Sequence, residues 1–304
     1  VVFAGSDKSV CGGVDVFMID AAISGSTTGV TWSGGAGTFL PNVNTINAVY
    51  QPDASETGTT VELYMTSDDP PGTCTATTDT VEIVFEQAPI ADAGSDIVTC
   101  EGDGAVTITT ASLGGGAAFP SSYWEIINGS GTLTDSLTIT PTYTPFAGEI
   151  GTITLQLTAS SGGTCPDDVD IMEIEINRAP IVDAGTDKVA CQGSTVTLSD
   201  ATQGGSTTAV SWSGGAGAFI PNNTTLNAIY EPDPGEIGST IDLVLTSNDP
   251  TGVCGIDRDT VAVTVQPAPV VDAGVDKEVC GIDTVDMTDA TANAEAGVVT
   301  WSGG

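Results

Sequence analysis

The seven cysteines are the residues whose type and spacing most directly suggest chemistry. Six of them form three pairs, 63, 65 and 63 residues apart: Cys11 and Cys74, Cys100 and Cys165, Cys191 and Cys254. Recurrence as pairs predicts one disulfide per domain and an oxidising compartment, the alternative being reduced structural cysteines. Cys280 would be left without its partner, which we attribute to truncation. Paired thiols are not nucleophiles, so the cysteines predict a framework.

The carboxylates are the second group that could do chemistry. The chain of 304 residues has 40 Asp and Glu, 5 Lys and Arg and no His, for a formal charge of −35. Such a surface repels nucleic acid and anionic membrane, and without histidine the commonest general base and metal ligand are missing. The enzyme chemistry left is a carboxylate pair acting on a glycosidic bond. The prominent acids recur in every repeat, which favours a framework role, so we expect no catalytic residues.

A repeated phrase reveals the organisation that positions these groups. The phrase begins at Val1, Ile90, Ile181 and Val270, at intervals of 89, 91 and 89 residues. This period suits a small domain. We predict domains at 1–89, 90–180 and 181–269, with a truncated fourth repeat at 270–304. Each junction is an Ala-Pro pair, and a short junction stiffened by proline predicts a semi-rigid rod.

Apolar residues alternate with period two within each repeat, as in Val61, Leu63 and Met65 or Val81, Ile83 and Phe85. Alternation of this kind predicts strands with one buried and one wet face. About seven such strands in ~90 residues indicate an immunoglobulin-like sandwich. The predicted fold class is therefore all-β, with tandem sandwiches in an extended rod.

Aromatic residues recur in register with the strands. The four tryptophans occupy one position and are predicted to be core residues of the third strand: Trp32, Trp124, Trp212 and Trp301. A Tyr-x-Pro-x-x-x-Glu-x-Gly element begins at Tyr50, Tyr143 and Tyr230. It predicts a corner between strands, in which the Glu accepts backbone N–H groups instead of doing chemistry.

These motifs carry a resemblance that covers essentially the whole chain. Trp-Ser-Gly-Gly-Ala-Gly at 32–37 and 212–217 leads through Pro-Asn to Asn-Ala-(Val/Ile)-Tyr and the Glu corner. This combination resembles the PKD-like, immunoglobulin-like repeats of large secreted surface proteins of Bacteroidota-type bacteria. Repeat 2 departs from it, with Tyr-Trp-Glu-Ile-Ile at 123–127. The resemblance implies adhesins or gliding filaments, often exported by the type IX route, with no catalytic residues in the repeats.

The resulting hypothesis is a non-catalytic segment of an extracellular, cell-surface fibre or adhesin stalk. Its expected partners are other repeats of the same long chain, self-assembly contacts in a filament, and unidentified surface or glycan ligands. Nucleic acid and membrane insertion are not expected. The alternatives are calcium-rigidified ligand-binding modules and spacer modules of a large secreted enzyme.

Calcium is the one cofactor that the sequence suggests, because oxygen ligands gathered between domains suit this ion. The candidate ligands lie beside the Ala-Pro junctions: Asp92, Asp96, Asp183, Asp187, Asp272 and Asp276. The competing interpretation is that these residues cap turns and solvate the ends of each sandwich.

Asp-(Ser/Thr)-aliphatic triplets form a further candidate set, since they resemble the O-glycosylation acceptor used in these bacteria. The acceptor hydroxyls would be those of Thr80, Ser136, Thr260 and Thr284. Short patterns also occur by chance in a Thr-rich chain, so both interpretations remain open.

Overall fold

The computed structural model of the chain describes residues 1–68, 75–119, 121–250, 252–281, 283–293 and 296–302. The predicted disulfide partner Cys74 lies outside the described residues. Within these ranges the regular structure is β apart from short 3-10 turns, among them Ala54–Glu56 and Pro234–Glu236.

Repeat 1 folds into short strands that follow the alternating pattern. They are β1 (Val2–Phe3), β2 (Lys8–Cys11), β3 (Val16–Phe17), β4 (Ala22–Ile23), β5 (Val30–Gly34), β6 (Thr38–Leu40), β7 (Val49–Gln51), β8 (Thr60–Ser67) and β9 (Thr78–Glu86). One sheet has the order β2-β9-β8-β5 and the other β3-β7-β6, with β1 and β4 forming a separate pair. The pairings are antiparallel except that β2 runs parallel to β9.

Repeats 2 and 3 reproduce this plan. Repeat 2 contains β10 (Pro89–Asp92), β11 (Ile97–Cys100), β12 (Val106–Thr107), β13 (Ser112–Gly115), β14 (Tyr123–Asn128), β15 (Thr132–Thr134), β16 (Thr142–Thr144), β17 (Gly151–Ala159) and β18 (Asp168–Asn177). Repeat 3 contains β19 (Pro180–Asp183), β20 (Lys188–Cys191), β21 (Val196–Thr197), β22 (Thr202–Gly205), β23 (Val210–Ser213), β24 (Ala218–Ile220), β25 (Ile229–Glu231), β26 (Thr240–Ser247) and β27 (Arg258–Gln266). The remaining strands are β28 (Val271–Asp272) and β29 (Thr291–Ala292).

The sheet orders identify the architecture. Repeat 2 has sheets β11-β18-β17-β14 and β12-β16-β15, and repeat 3 has β20-β27-β26-β23 and β21-β25-β24. Each repeat has a four-stranded and a three-stranded sheet, and in the four-stranded sheet the last strand of the repeat lies between its second strand and its second-to-last strand. This is an immunoglobulin-like arrangement. The predicted fold class of tandem all-β sandwiches is confirmed.

Each repeat contributes its own hydrophobic core. The three buried clusters fall within residues 2–85, 93–176 and 182–265, each inside one of the predicted domain ranges. Trp32, Trp124 and Trp212 are at most 3% exposed, which confirms their predicted place in the core. Trp301, in the short fourth segment, is 58% exposed.

The chain divides into two compact units, Val1–Ile176 and Asn177–Gly304. The first contains repeats 1 and 2, and the second contains repeat 3 and the short segment that follows it. In the described part of the chain, no helix has both the length and the apolar character needed to cross a membrane.

Candidate functional site

The Glu corner of repeat 1 is a closed hydrogen-bond network. Tyr50 Oη donates to Glu56 Oε1 at 2.7 Å, and the backbone N–H groups of Ala36 and Asp53 donate to the same carboxylate at 2.7 and 2.9 Å. Gly37 N–H donates to Tyr50 Oη at 2.8 Å. Glu56 is only 5% exposed. Each donor is held by the fold, so the carboxylate fastens the loop after β5 to the corner after β7.

Glycine is required where that loop crosses the corner. Gly35 has φ +65°, and a Cβ on it would lie 1.9 Å from Tyr50 Oη. Gly215 repeats this arrangement over Tyr230, with φ +66° and the same 1.9 Å distance. The Trp-Ser-Gly-Gly motif therefore encodes the close approach of backbone to phenol.

The same corner recurs in repeats 2 and 3. Tyr143 donates to Glu149 at 2.8 Å, and Tyr230 donates to Glu236 at 2.8 Å. Burial and the hydrogen bond to carboxylate raise the pKa of Tyr143 and of Tyr230 to about 12, and they raise the pKa of Tyr50 further. The phenols therefore stay protonated as donors. The prediction that the Glu accepts backbone N–H groups is confirmed.

The aspartates proposed as calcium ligands accept hydrogen bonds from nearby backbone. Asp92, Asp183 and Asp272 accept the N–H of the glycine two residues on, at 3.0, 2.8 and 2.9 Å. Asp96 accepts Glu173 N–H at 2.8 Å and Asp187 accepts Ala262 N–H at 3.0 Å. The bonds of Asp96 and Asp187 tie the loop after the first strand to the last strand of the same repeat, whereas the other three are local to that loop.

A third set of aspartates also accepts hydrogen bonds from backbone N–H groups. Asp79, Asp170 and Asp259 accept the N–H groups of Ala4, Ala93 and Ala184 at 2.7, 2.8 and 2.7 Å. Among the described residues, no group of three or more Asp, Glu, Cys or His side chains could hold a metal ion. Asp276 is exposed in the short fourth segment. Calcium at the junctions stays a prediction, to be tested on the protein.

The candidate glycosylation acceptors differ in exposure. Thr80, Thr260 and Thr284 are exposed, whereas Ser136 is half-buried. Their modification likewise stays a prediction.

The sequence reasoning missed an ion pair that recurs in three repeats. Lys8 lies 2.9 Å from Asp20, and the equivalent pairs Lys188–Asp200 and Lys277–Asp289 are 2.6 and 2.7 Å apart. The signal was present, since three of only five basic residues occur at one repeat position. The backbone N–H of Ser6 and the Lys8 ammonium lower the pKa of Asp20 to about 2.

The predicted disulfide pairing is wrong. Cys11 is bonded to Cys165, with Cα atoms 4.7 Å apart, so the bond joins repeat 1 to repeat 2. The predicted pairs Cys11–Cys74 and Cys100–Cys165 are therefore excluded. Cys100 and Cys254 are disulfide-bonded as well. Cys191 is free and exposed, as is Cys280, which excludes the predicted pair Cys191–Cys254.

Strand direction explains why the two cysteines of one repeat do not meet. In repeat 3, Cys191 lies beside Gln266, the final residue of β27. Cys254 precedes Arg258, the first residue of this nine-residue strand. Such a strand spans about 30 Å, whereas a disulfide needs Cα atoms within about 7 Å. The second cysteine is at the wrong end of its own sandwich.

Glu86 connects both sides of the Cys11–Cys165 bond. Ser9 Oγ donates to one of its carboxylate oxygens at 2.6 Å, and Thr164 Oγ1 donates to the other at 3.0 Å. These hydroxyls, with the backbone N–H of Thr164, lower the pKa of Glu86. Its backbone oxygen lies 3.6 Å from Cys165 Sγ and accepts Gly12 N–H at 2.7 Å.

A cavity of about 390 Å³ lies against this junction. Its lining residues are Gly58, Thr59, Thr60, Val84, Phe85, Glu86, Gln87, Gly116, Ser161, Gly162 and Gly163. Glu86 is the single carboxylate in this lining, so the cavity does not contain the pair of acids that glycoside hydrolysis uses.

The comparisons with known proteins find similar solved structures, but no protein-family model and no curated protein matches the chain. Protocadherin gamma B2 extracellular cadherin domains 3–6 are 13% identical with a TM-score of 0.40, over 89% of this chain and 75% of that one. Mouse cadherin-23 domains EC22–24 are 12% identical with a TM-score of 0.41, over 87% and 96%. The insect immune protein hemolin is 12% identical with a TM-score of 0.40, over 87% and 76%.

Proposed function

We propose that the chain is a non-catalytic structural segment of an extracellular bacterial surface fibre or adhesin stalk. The observation that carries this proposal is the Cys11–Cys165 bond, which joins consecutive sandwiches covalently. The bond holds two neighbouring modules together in addition to the backbone that already connects them, and a stalk under load requires this of its modules. The bond also indicates folding in an oxidising compartment.

The use of the recurring polar groups supports the same proposal. Hydrogen bonds within the same repeat occupy the buried carboxylates of Glu56 and Glu236 and the phenols that donate to them. A catalytic or ligand-binding acid needs free lone pairs directed at its substrate. Repetition in register therefore serves the framework of each sandwich.

The surface charge also suits an array of β domains. Sheet edges of neighbouring molecules tend to pair, and like charge opposes their approach. With a formal charge of −35, every repeat carries an excess of carboxylates that keeps separate chains apart. The bacterial origin, the PKD-like type and type IX export rest on the motif resemblance and belong to this proposal.

Immunogold electron microscopy of intact cells that produce the full-length protein tests the proposal. Antibody raised against this chain should label thin extended structures outside the cell. Label confined to the cell interior would contradict it. A secreted glycan-degrading activity that is lost when the gene for this protein is deleted would favour the alternative that the repeats are spacer modules of an enzyme.

A further inference from the structure

The disulfide connects two strands end to end. β2 runs from Lys8 to Cys11, so the bonded cysteine is its last residue. The partner Cys165 precedes β18, which runs from Asp168 to Asn177 at the end of repeat 2. A continuous path therefore leads from the start of repeat 1 along β2, through the two sulfurs, and along β18 out of repeat 2.

We propose that this path carries tension past the two hydrophobic cores, so that the Cys11–Cys165 bond works as a mechanical bypass. Force that enters at Val1 and leaves after β18 pulls each of the two strands along its own axis. A strand is already close to its full length, so such force has little to extend. Residues 12 to 164, which include most of both cores, lie outside the path.

Without the bond, the same force would take another route. It would leave repeat 1 through the C-terminal end of β9, which runs parallel to β2. The two strands would then be pulled in opposite directions, and all the hydrogen bonds between them would be sheared at once. When these bonds break, the core of repeat 1 opens, and repeat 2 follows by the equivalent route.

Glu86 reinforces the bypass at the disulfide, where the path of force passes from β2 to β18. Its carboxylate accepts Ser9 Oγ from β2 on one side and Thr164 Oγ1, next to Cys165, on the other. The same residue ends β9 and accepts Gly12 N–H at 2.7 Å. The ends of β2 and β9 and the loop before β18 are therefore held together around the disulfide.

Single-molecule pulling on the full 304-residue chain tests the proposal, with one handle at the N-terminus and the other on a clickable residue replacing exposed Arg178. The wild-type chain should not release residues 12 to 164. The double variant Cys11→Ser, Cys165→Ser should release about 500 Å more, because the two positions, which are 154 apart in sequence, can then separate along the extended chain. Cys280→Ser, which removes a free exposed thiol, is the matched control and should behave as wild type.

A second measurement tests the proposal without relying on the double variant to fold. A phosphine reductant added to the wild-type chain under constant force should produce the same additional length. Release of that length from chains whose Cys11–Cys165 bond is intact by non-reducing peptide mapping would overturn the proposal, as would an unchanged length after reduction.

The purpose of the bypass rests on the proposed function, since a stalk is where tension would arise. The mechanics are measured on the isolated chain and the location on intact cells. A failed pulling experiment and a failed labelling experiment therefore point to different errors.

Discussion

At the scale of single residues, the buried Glu236 shows how the carboxylates stabilise a repeat. It accepts hydrogen bonds from Ala216 N–H, Asp233 N–H and Tyr230 Oη while only 7% exposed. Glu236→Gln replaces one acceptor oxygen by an amide that faces donors. We expect repeat 3 to lose about 1–3 kcal/mol, because a buried donor is left unpaired.

Hydrogen exchange in urea, read on peptides of repeat 3, measures this loss. Glu231→Gln, at an exposed position five residues earlier, removes the same charge and should leave exchange unchanged. Equal effects of the two variants would show that net charge, and not the corner network, sets the stability.

The pair of Lys8 and Asp20 predicts a pH dependence. The pKa of Asp20 is lowered from 3.8 to about 2 by the Ser6 N–H and the Lys8 ammonium. A lowered pKa in the folded state contributes stability that is fully present above the unfolded value and is lost as the pH falls through the folded value. Repeat 1 should therefore lose stability between about pH 4 and pH 2.

Asp20→Asn should flatten the response of repeat 1 in that range, measured by amide exchange at the loop after β1. Repeat 2 is an internal control, since its equivalent loop uses the Thr110 hydroxyl, which accepts Ser95 N–H at 3.1 Å. An acid response of repeat 1 that persists in Asp20→Asn would assign the effect to other carboxylates.

At the scale of elements, the sequence predicted which residues form strands but not how β2 pairs. Alternation marks Val81, Ile83 and Phe85 as one face of a strand because one side of that sheet is buried. It contains no information on direction, and a four-residue strand such as β2 can pair either way. The parallel pairing of β2 with β9 decides where Cys11 lies, so the disulfide partners could not be read from spacing.

The candidate site was predictable to the extent that local motifs encode it. The Tyr-x-Pro-x-x-x-Glu-x-Gly corner closes over a few residues, so its Glu could be assigned from sequence. The ion pair of Lys8 with Asp20 joins positions 12 residues apart. In the sequence it was visible only because a lysine recurs at one repeat position of a chain with five basic residues. Contacts between repeats depend on tertiary packing and had no local signal.

The changed loop of repeat 2 predicts a difference between two equivalent tryptophans. Trp212 Nε1 donates to Leu226 O at 2.9 Å, whereas among the described residues the buried Trp124 Nε1 has no hydrogen-bond partner. Replacement by Phe creates a similar cavity at both positions. Trp212→Phe should cost about 1–3 kcal/mol more than Trp124→Phe, because it also leaves the Leu226 carbonyl unpaired.

Urea unfolding of both single variants, followed by hydrogen exchange in the affected repeat, gives the two costs. Each variant is the matched control of the other, since both remove one buried indole at an equivalent position. A larger loss for Trp124→Phe would contradict the assignment of the unpaired donor.

At the scale of the whole molecule, the disulfide makes the stability of repeats 1 and 2 depend on redox state. The Cys11–Cys165 bond closes a span of 154 residues, worth about 5 kcal/mol if unfolded-chain entropy alone is counted. Reduction should therefore lower the melting temperature of the unit Val1–Ile176. Calorimetry with and without reductant measures the shift, and a non-reducing peptide map identifies the partners of Cys100 and Cys254.

The charge of −35 gives a final test, which separates general screening from a specific calcium site. Salt weakens repulsion among the carboxylates, so monovalent salt should raise the melting temperature as the screening length falls from ~30 Å at about 0.01 M to ~10 Å at 0.1 M. The junction aspartates Asp96 and Asp187 already accept backbone N–H groups. We therefore expect calcium and magnesium to give equal rises at equal ionic strength, after prior treatment with chelator. A rise specific to calcium that is lost in Asp96→Asn, but not in the exposed variant Glu231→Gln, would instead establish the junction site.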